Sequence, residues 1–222
     1  MLAASLSQAA TIKINFEGIQ AHAADAGFAS VGEYYNGGRA SNNALGVDYG
    51  VSFSSALAIC LNTAGVNCTE ASKGEVCEAG SGFTAMTASG SPMFMNVAAG
   101  FETTLSFFYT NPTWARNSVE LWSGLNGTGT LLKTLVLAGT ADGSSTSACL
   151  GAGYCPFEKI SISFDGIAKS FVLAGEWDQI AIDDIEFQTA GSSDPSQVPE
   201  PATLSLVAVA ALPFHRHPSL AL

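Results

Sequence analysis

Basic residues are scarce in this chain of 222 residues. Lys and Arg together number 8 against 19 Asp and Glu, which gives a formal net charge of −11. A surface of that sign repels phosphate backbones and argues against nucleic acid as a partner. Histidine is nearly missing, with 3 in the chain, and no two cysteines stand in the close pairs typical of zinc sites. The composition therefore disfavours a zinc centre.

Helical patterning is also missing, because no segment carries a sustained apolar stripe with caps. Apolar and polar residues instead alternate over short stretches, and glycine-containing turn signals separate them, including 36–38, 126–129 and 165–166. The predicted strands include 11–16, 47–53, 102–109, 118–122, 131–138, 157–165, 169–174 and a closing strand at 177–187. About nine or ten short strands with Gly-rich turns predict an all-β fold, an antiparallel β-sandwich of the jelly-roll kind.

The character of the sequence changes at both ends. Residues 1–10 are small and apolar and end like a signal peptide, so we interpret them as a signal-peptide remnant. Residues 11–190 carry the strand pattern and form the predicted β-sandwich domain. Residues 191–197 contain no apolar side chain and are predicted to be a linker. Residues 198–222 form a separate C-terminal tail.

The tail begins with Val198, Pro199, Glu200 and Pro201, and after Ala-Thr an almost wholly apolar run covers 204–212. This arrangement resembles the PEP-CTERM sorting signal. In that family a spanning helix and a basic cluster follow the motif, and an exosortase-type transpeptidase processes it. Here the apolar run stops before Pro213, short of the ~20 residues that span a bilayer. The tail is therefore a shortened, degenerate form of the signal.

The predicted sandwich resembles the passenger domains of the same family. The resemblance is carried by Ile-Asn-Phe-Glu-Gly at 14–18, by the second strand at 49–55, by the hairpin LWSGLNGTGTLL at 121–132 and by the closing strand at 177–187. That strand is also similar to those of galactose-binding-like, lectin-like jelly rolls. The resemblance implies an exported protein of a Gram-negative cell envelope, cell surface or extracellular matrix. It also implies exosortase as a partner and transient membrane contact through the tail.

The closing strand contains two adjacent carboxylates. Strict alternation would place Ile180 and Ile182 opposite Ile185 and Phe187, and an extra residue at 183–184 restores one apolar face. The resemblance to calcium-binding jelly rolls implies that Glu17 on the first strand and Asp183 or Asp184 on the last would hold a structural Ca²⁺, with carbonyls from the loop at 36–38. The alternative is that these carboxylates are solvated or accept N–H groups.

Aromatic side chains in loops are the candidates for carbohydrate contacts. Tyr34 and Tyr35, which precede Asn36, are the first choice, followed by Trp114 and Trp122. Core packing explains each of these rings at least as well.

Five cysteines suit disulfides formed in an oxidising compartment. Cys149 and Cys155 bracket a short glycine-containing loop that lets the chain fold back, and they are predicted to bond. Cys68 and Cys77 flank a polar loop and form the second predicted pair. Cys60 ends an apolar run and is expected to be buried as a small hydrophobe.

Catalytic signatures are missing: there is no G-x-S-x-G elbow and no phosphate-cradling glycine motif with a lysine. We therefore expect a non-catalytic protein, exported to the cell surface or to an exopolysaccharide or biofilm matrix and equipped with a carbohydrate-binding face. The alternative is a purely structural matrix component with no discrete ligand.

Overall fold

A computed structural model of the chain describes residues 9–19, 28–60, 84–90, 92–140 and 156–191. Within these ranges the fold is all-β, with ten strands and a short 3-10 turn at Leu125–Gly127. The strands are β1 (Thr11–Ile14), β2 (Ala29–Ser30), β3 (Val51–Ser54), β4 (Ala56–Cys60), β5 (Thr84–Ala88), β6 (Met93–Thr110), β7 (Ser118–Trp122), β8 (Leu131–Val136), β9 (Glu158–Ala174) and β10 (Ala181–Thr189). The predicted fold class is confirmed.

Antiparallel hydrogen bonding connects all ten strands in one continuous sheet. Its main path runs β2-β4-β5-β10-β6-β9-β7-β8, with β1 beside β10 and β3 beside β6. Two strands are much longer than the others, since β6 has 18 residues and β9 has 17. These two strands pair with each other from Met93 opposite Leu173 to Tyr109 opposite Glu158.

The two long strands bend, and the bend folds the sheet into two layers. Phe107 on β6 contacts Phe171 on β9 with ring centroids 5.7 Å apart and planes at 90°. The neighbour of Phe171 across the ladder, however, is Met95. A straight strand at ~3.3 Å per residue would hold Met95 and Phe107 about 40 Å apart. The ring contact therefore crosses the interior of a β-sandwich, in which one bent sheet supplies both layers.

The bend coincides with irregularities in the β6–β9 ladder, where the register shifts twice over residues 96–104. Gly100 and Gly166 lie in this region with φ of +84° and +89°, a conformation that glycine adopts at little cost. A Cβ on Gly100 would lie 2.4 Å from Ile167 Cγ2. Residues 165–166 are therefore part of an irregular segment within β9, and the prediction of a turn there is wrong.

Some strands carry no alternating pattern that sequence analysis could use. All five residues of β5 are buried, so neither face of this strand is marked by a run of alternating polar residues. The two residues of β2 are too few to show a period, and the first part of β6 contains several alanines and a glycine. The other strands overlap predicted ones, except β4, which lies in the apolar run that ends near Cys60.

The chain divides into two units, Met1–Ser192 and Ser193–Leu222, and only the first contains described residues. The proposed sorting motif at Val198, Pro199, Glu200 and Pro201 lies outside the described part. Within the part that the structure describes, no helix combines the length and the apolar character needed to cross a bilayer.

The ring contact between the layers predicts where the sandwich is most sensitive to mutation. Phe107 is fully buried, so Phe107→Ala should lower the free energy of unfolding by about 3–5 kcal/mol. Val136 is 72% exposed on β8, and Val136→Ala should change it by less than about 0.5 kcal/mol. Urea unfolding of both variants measures the difference. Equal losses of stability in the two variants would contradict the placement of Phe107 in the core between the two layers.

Candidate functional site

The first and last strands bring two of the predicted calcium ligands into one region. β1 pairs with β10 through Ile14 opposite Ile185, and Glu17 follows β1 by three residues. The charges of Asp183 and Glu17 both act on the buried hydroxyl of Tyr35. The structure thus places Glu17 and Asp183 around the same tyrosine, although they are far apart in the sequence.

The predicted extra residue at 183–184 is present in β10. The ladder with β6 shifts by one residue between Asp183 and Glu186, and Asp184 has φ of +48°. As expected, the shift leaves Ile182, Ile185 and Phe187 in one core. Both aspartates are buried, and Asp183 Oδ1 accepts the Asp184 N–H at 2.7 Å.

Partners within the protein engage the carboxylates. Lys13 Nζ lies 3.2 Å from Asp184 Oδ1, and Glu17 Oε1 accepts the Thr84 N–H at 2.8 Å. The loop at 36–38 is predicted to supply carbonyl ligands, and its Gly38 carbonyl accepts the Gly46 N–H at 3.0 Å. Among the described residues, no three His, Cys, Asp or Glu side chains form a group able to hold a metal ion. Calcium stays a prediction.

Tyr34 and Tyr35 are core residues, with 6% and 3% of their surface exposed. The Tyr35 hydroxyl accepts the Phe16 N–H at 2.8 Å, and its ring stands edge-on to Tyr34, with centroids 4.9 Å apart. The structure therefore corrects the choice of these two rings as sugar-stacking platforms. Asn36 is exposed, and its Nδ2 donates to Glu33 Oε2 at 2.7 Å.

The exposed tryptophans lie on loops at one end of the sandwich. Trp114, in the β6–β7 loop, is 61% exposed, and Trp177, in the β9–β10 loop, is 56% exposed. The sequence places Trp177 at the start of the closing strand, but β10 begins only at Ala181. Trp122 is partly buried on β7, and its Nε1–H donates to Glu120 Oε2 at 2.9 Å.

Strand pairing explains why the two loops are neighbours. Thr110, at the end of β6, pairs with Ala181 at the start of β10. Ser118, at the start of β7, pairs with Ala174 at the end of β9. One end of each loop therefore lies at the β6–β10 pair and the other end at the β7–β9 pair. Both loops cross between the two layers, and they run side by side.

The two loops are in direct contact at Gly175. A Cβ at this residue would lie 2.1 Å from the Arg116 carbonyl oxygen and 2.5 Å from Asn117 Oδ1, and its φ is +125°. Only glycine allows this approach. The Asp178 N–H donates to the Ala88 carbonyl at 2.9 Å, which fixes the Trp177 loop to the end of β5.

A shallow surface hollow lies beside Trp177. The exposed Glu176 stands at its edge, and the buried Asn117, Leu173 and Ile180 lie beneath it. It encloses no space large enough for a water molecule, whereas sites that enclose a ligand have volumes of ~300–1,000 Å³. An exposed indole next to an exposed carboxylate suits contact with the side of an amphipathic molecule rather than its enclosure.

A buried polar network fixes the floor of the hollow. Asn117 Nδ2 donates to Asn111 Oδ1 at 2.7 Å, and Asn111 Nδ2 donates to the Leu137 carbonyl at 3.3 Å. The hydroxyls of Thr110 and Thr140 lie 3.1 Å apart next to them. Because these groups are buried and satisfied, the β6–β7 loop is held in one conformation.

The predicted disulfide residues Cys68, Cys77, Cys149 and Cys155 lie outside the described residues. Cys60 ends β4, and its side chain is likewise outside the description. Both pairings stay predictions.

No protein-family model matches the chain, and no curated protein matches it. Among solved structures, it is similar to the K1 cleaved adhesin domain of Lys-gingipain from Porphyromonas gingivalis W83, at 10% identity and a TM-score of 0.44, over 82% of this chain and 99% of that one. The K2 cleaved adhesin domain of Lys-gingipain gives 13% identity and a TM-score of 0.39, over 62% and 89%. A family 6 carbohydrate-binding module from Clostridium stercorarium, solved with cellobiose, gives 16% and 0.32, over 51% and 79%. These values are too low to carry a ligand over to this chain.

Tyr35 predicts how stability depends on pH. Burial, and then the charges of Tyr34, Asp183 and Glu17, raise the pKa of Tyr35 above its ordinary value of 10.0, and the Phe16 N–H offsets this in part. The unfolded chain ionises first, so the free energy of unfolding should fall as the pH rises above about 10.

Tyr35→Phe tests whether Tyr35 contributes to this pH dependence. At pH 7 it should cost about 1–3 kcal/mol, because the buried Phe16 N–H loses its acceptor. Above pH 10 its stability should fall less steeply than that of the parent. Val136 is exposed on β8 and carries no titratable group, so Val136→Ala is the control and should preserve the parent slope. Urea unfolding between pH 7 and 11 measures both effects, and parallel slopes for Tyr35→Phe and the parent would contradict the assignment.

Proposed function

We propose that this chain is an exported, non-catalytic carbohydrate-binding β-sandwich of the bacterial cell surface or exopolysaccharide matrix. The observation that carries the proposal is the exposed Trp177, which stands next to the exposed Glu176 on a loop packed against the β6–β7 loop at Gly175. The binding face is therefore at the loop end of the sandwich and not at Tyr34 and Tyr35.

The chemistry of this hollow matches that of a sugar. One face of a pyranose ring is apolar C–H surface, which an indole covers well, and the ring edge carries hydroxyls. Glu176 supplies carboxylate oxygens that accept hydrogen bonds from hydroxyl groups. The loops are held by Gly175 and by the Asp178 N–H, so little conformational entropy is lost when a ligand binds.

Trp177→Ala tests the proposed site. A glycan array should show binding by the parent, and the variant should lose affinity for the same glycans by about tenfold or more, since exposed tryptophans often dominate binding energy. Leu45 is 66% exposed on another loop, so Leu45→Ala is the matched control and should bind like the parent. No binding by the parent to any glycan would favour the structural matrix component without a discrete ligand.

We also propose a structural Ca²⁺ at the β1–β10 junction, held by Glu17 and Asp183. The residues fit such an ion in part. The hydroxyl of Thr84, whose N–H holds Glu17, is fully buried with no hydrogen-bond partner among the described residues. Asp184 is paired with Lys13 instead. A cation here would offset the charges of two carboxylates.

Thermal unfolding with calcium and with chelator tests this proposal. A hundredfold excess of calcium over its Kd should stabilise the parent by about 2.7 kcal/mol, and Glu17→Gln should abolish the difference. Glu186 is exposed on β10, so Glu186→Gln is the control and should keep the response. Identical unfolding of the parent in both buffers would rule the ion out.

The tail is proposed to direct sorting through Val198, Pro199, Glu200 and Pro201, with an exosortase-type transpeptidase as partner. Paired prolines disfavour a helix, and a protease-like groove takes an extended peptide. Deleting residues 198–222 should move the protein from the cell surface to the medium and shift the unfolding temperature by less than about 2 °C. Fractionation and calorimetry measure these effects, and unchanged surface retention would contradict the role of the tail.

A further inference from the structure

Trp114 is about as exposed as Trp177 and lies on the neighbouring loop, but it does not line the hollow beside Trp177. A single exposed apolar side chain is common on protein surfaces, whereas exposed apolar side chains grouped together mark binding sites. The third tryptophan, Trp122, is partly buried and bonded to Glu120. Two of the three indoles are thus exposed at one end of the sandwich.

The contact between the two loops fixes the backbone segments that carry these two indoles. Gly175, two residues before Trp177, approaches the carbonyl of Arg116, two residues after Trp114. On the Trp114 side, the Ala115 N–H donates to the Pro112 carbonyl at 3.0 Å, and the buried Asn117 bonds to Asn111 at 2.7 Å. Neither loop can move without breaking these contacts, so the backbone that carries the two indoles is preorganised.

Charge around the pair restricts the ligand. Glu176 and Asp178 flank Trp177 and are exposed. Between them the two loops carry one cation, Arg116, whose Nη1 donates within its own loop to the carbonyls of Thr113 at 3.3 Å and Ala115 at 3.5 Å. Two carboxylates against one guanidinium, on a chain of net charge −11, repel a polyanion.

We infer that Trp114 and Trp177 form one binding surface that holds at least two sugar units of a neutral polysaccharide along its chain. The inference rests on the proposed function and deepens it by naming a second contact residue and the class of polymer. A single ring next to a small hollow would suffice for one sugar. A second exposed ring on a contacting loop adds affinity only for a ligand long enough to reach both.

Affinity electrophoresis of the full chain tests the inference. Native gels contain either a neutral polymer (hydroxyethylcellulose, dextran or galactomannan) or the polyanion alginate. At least one neutral polymer should retard the parent, and the retention should change little between low and 0.5 M salt, because no charge pairing contributes. Trp114→Ala and Trp177→Ala should each weaken retention about tenfold or more. Leu45→Ala should match the parent.

The outcomes separate the two proposals. If Trp177→Ala weakens retention and Trp114→Ala does not, the second contact is wrong while the proposed function stands. If alginate retards the parent more strongly than every neutral polymer, the assignment to a neutral class is overturned. If no polymer retards the parent, both proposals fail. Circular dichroism of each variant confirms an intact fold, which surface substitutions should leave unchanged.

Discussion

The fold depends on a bend shared by two paired strands. β6 and β9 are hydrogen-bonded along their length, so neither can turn unless the other turns at the same place. Gly100 and Gly166 supply positive φ in both strands at that place, and the bend lets Phe107 meet Phe171 across the interior. A flat sheet of these strands would leave one apolar face in water, at a cost of ~25 cal/mol for each Å². Closing the sheet on itself buries that face.

The same bend creates the candidate site. Once the sheet is folded over, a chain leaving β6 or β9 must cross from one layer to the other to reach its next strand. The two crossings begin and end at paired residues, Thr110 with Ala181 and Ser118 with Ala174, and they therefore lie side by side. Trp114 and Trp177 are carried on these crossings, so a local feature of the sheet places two distant indoles together.

Sequence patterns predict what depends on neighbours along the chain, and they fail where distant contacts decide. Alternation predicts β1 and β7, and the phase of isoleucines predicts the extra residue beside Asp183. Residues 165–166 look like a turn because Asp-Gly favours turns in isolation, but pairing with β6 keeps them inside a strand. The hydroxyl of the buried Tyr35 accepts the Phe16 N–H, and no local sequence pattern reveals this contact. The position of Trp177 depends on the contact of its loop with the β6–β7 loop at Gly175, which joins residues far apart in the sequence.

The central claim is that this sandwich binds a polysaccharide through the indoles of its crossing loops. A ¹H–¹⁵N spectrum tests it directly, because the chain has three tryptophans and hence three indole N–H signals. Titration with the neutral polymer that binds best should shift the signals of Trp114 and Trp177, and the signal of Trp122, which donates to Glu120, should stay in place. Shifts confined to other parts of the sandwich, with both exposed indoles unmoved at saturation, would contradict the account.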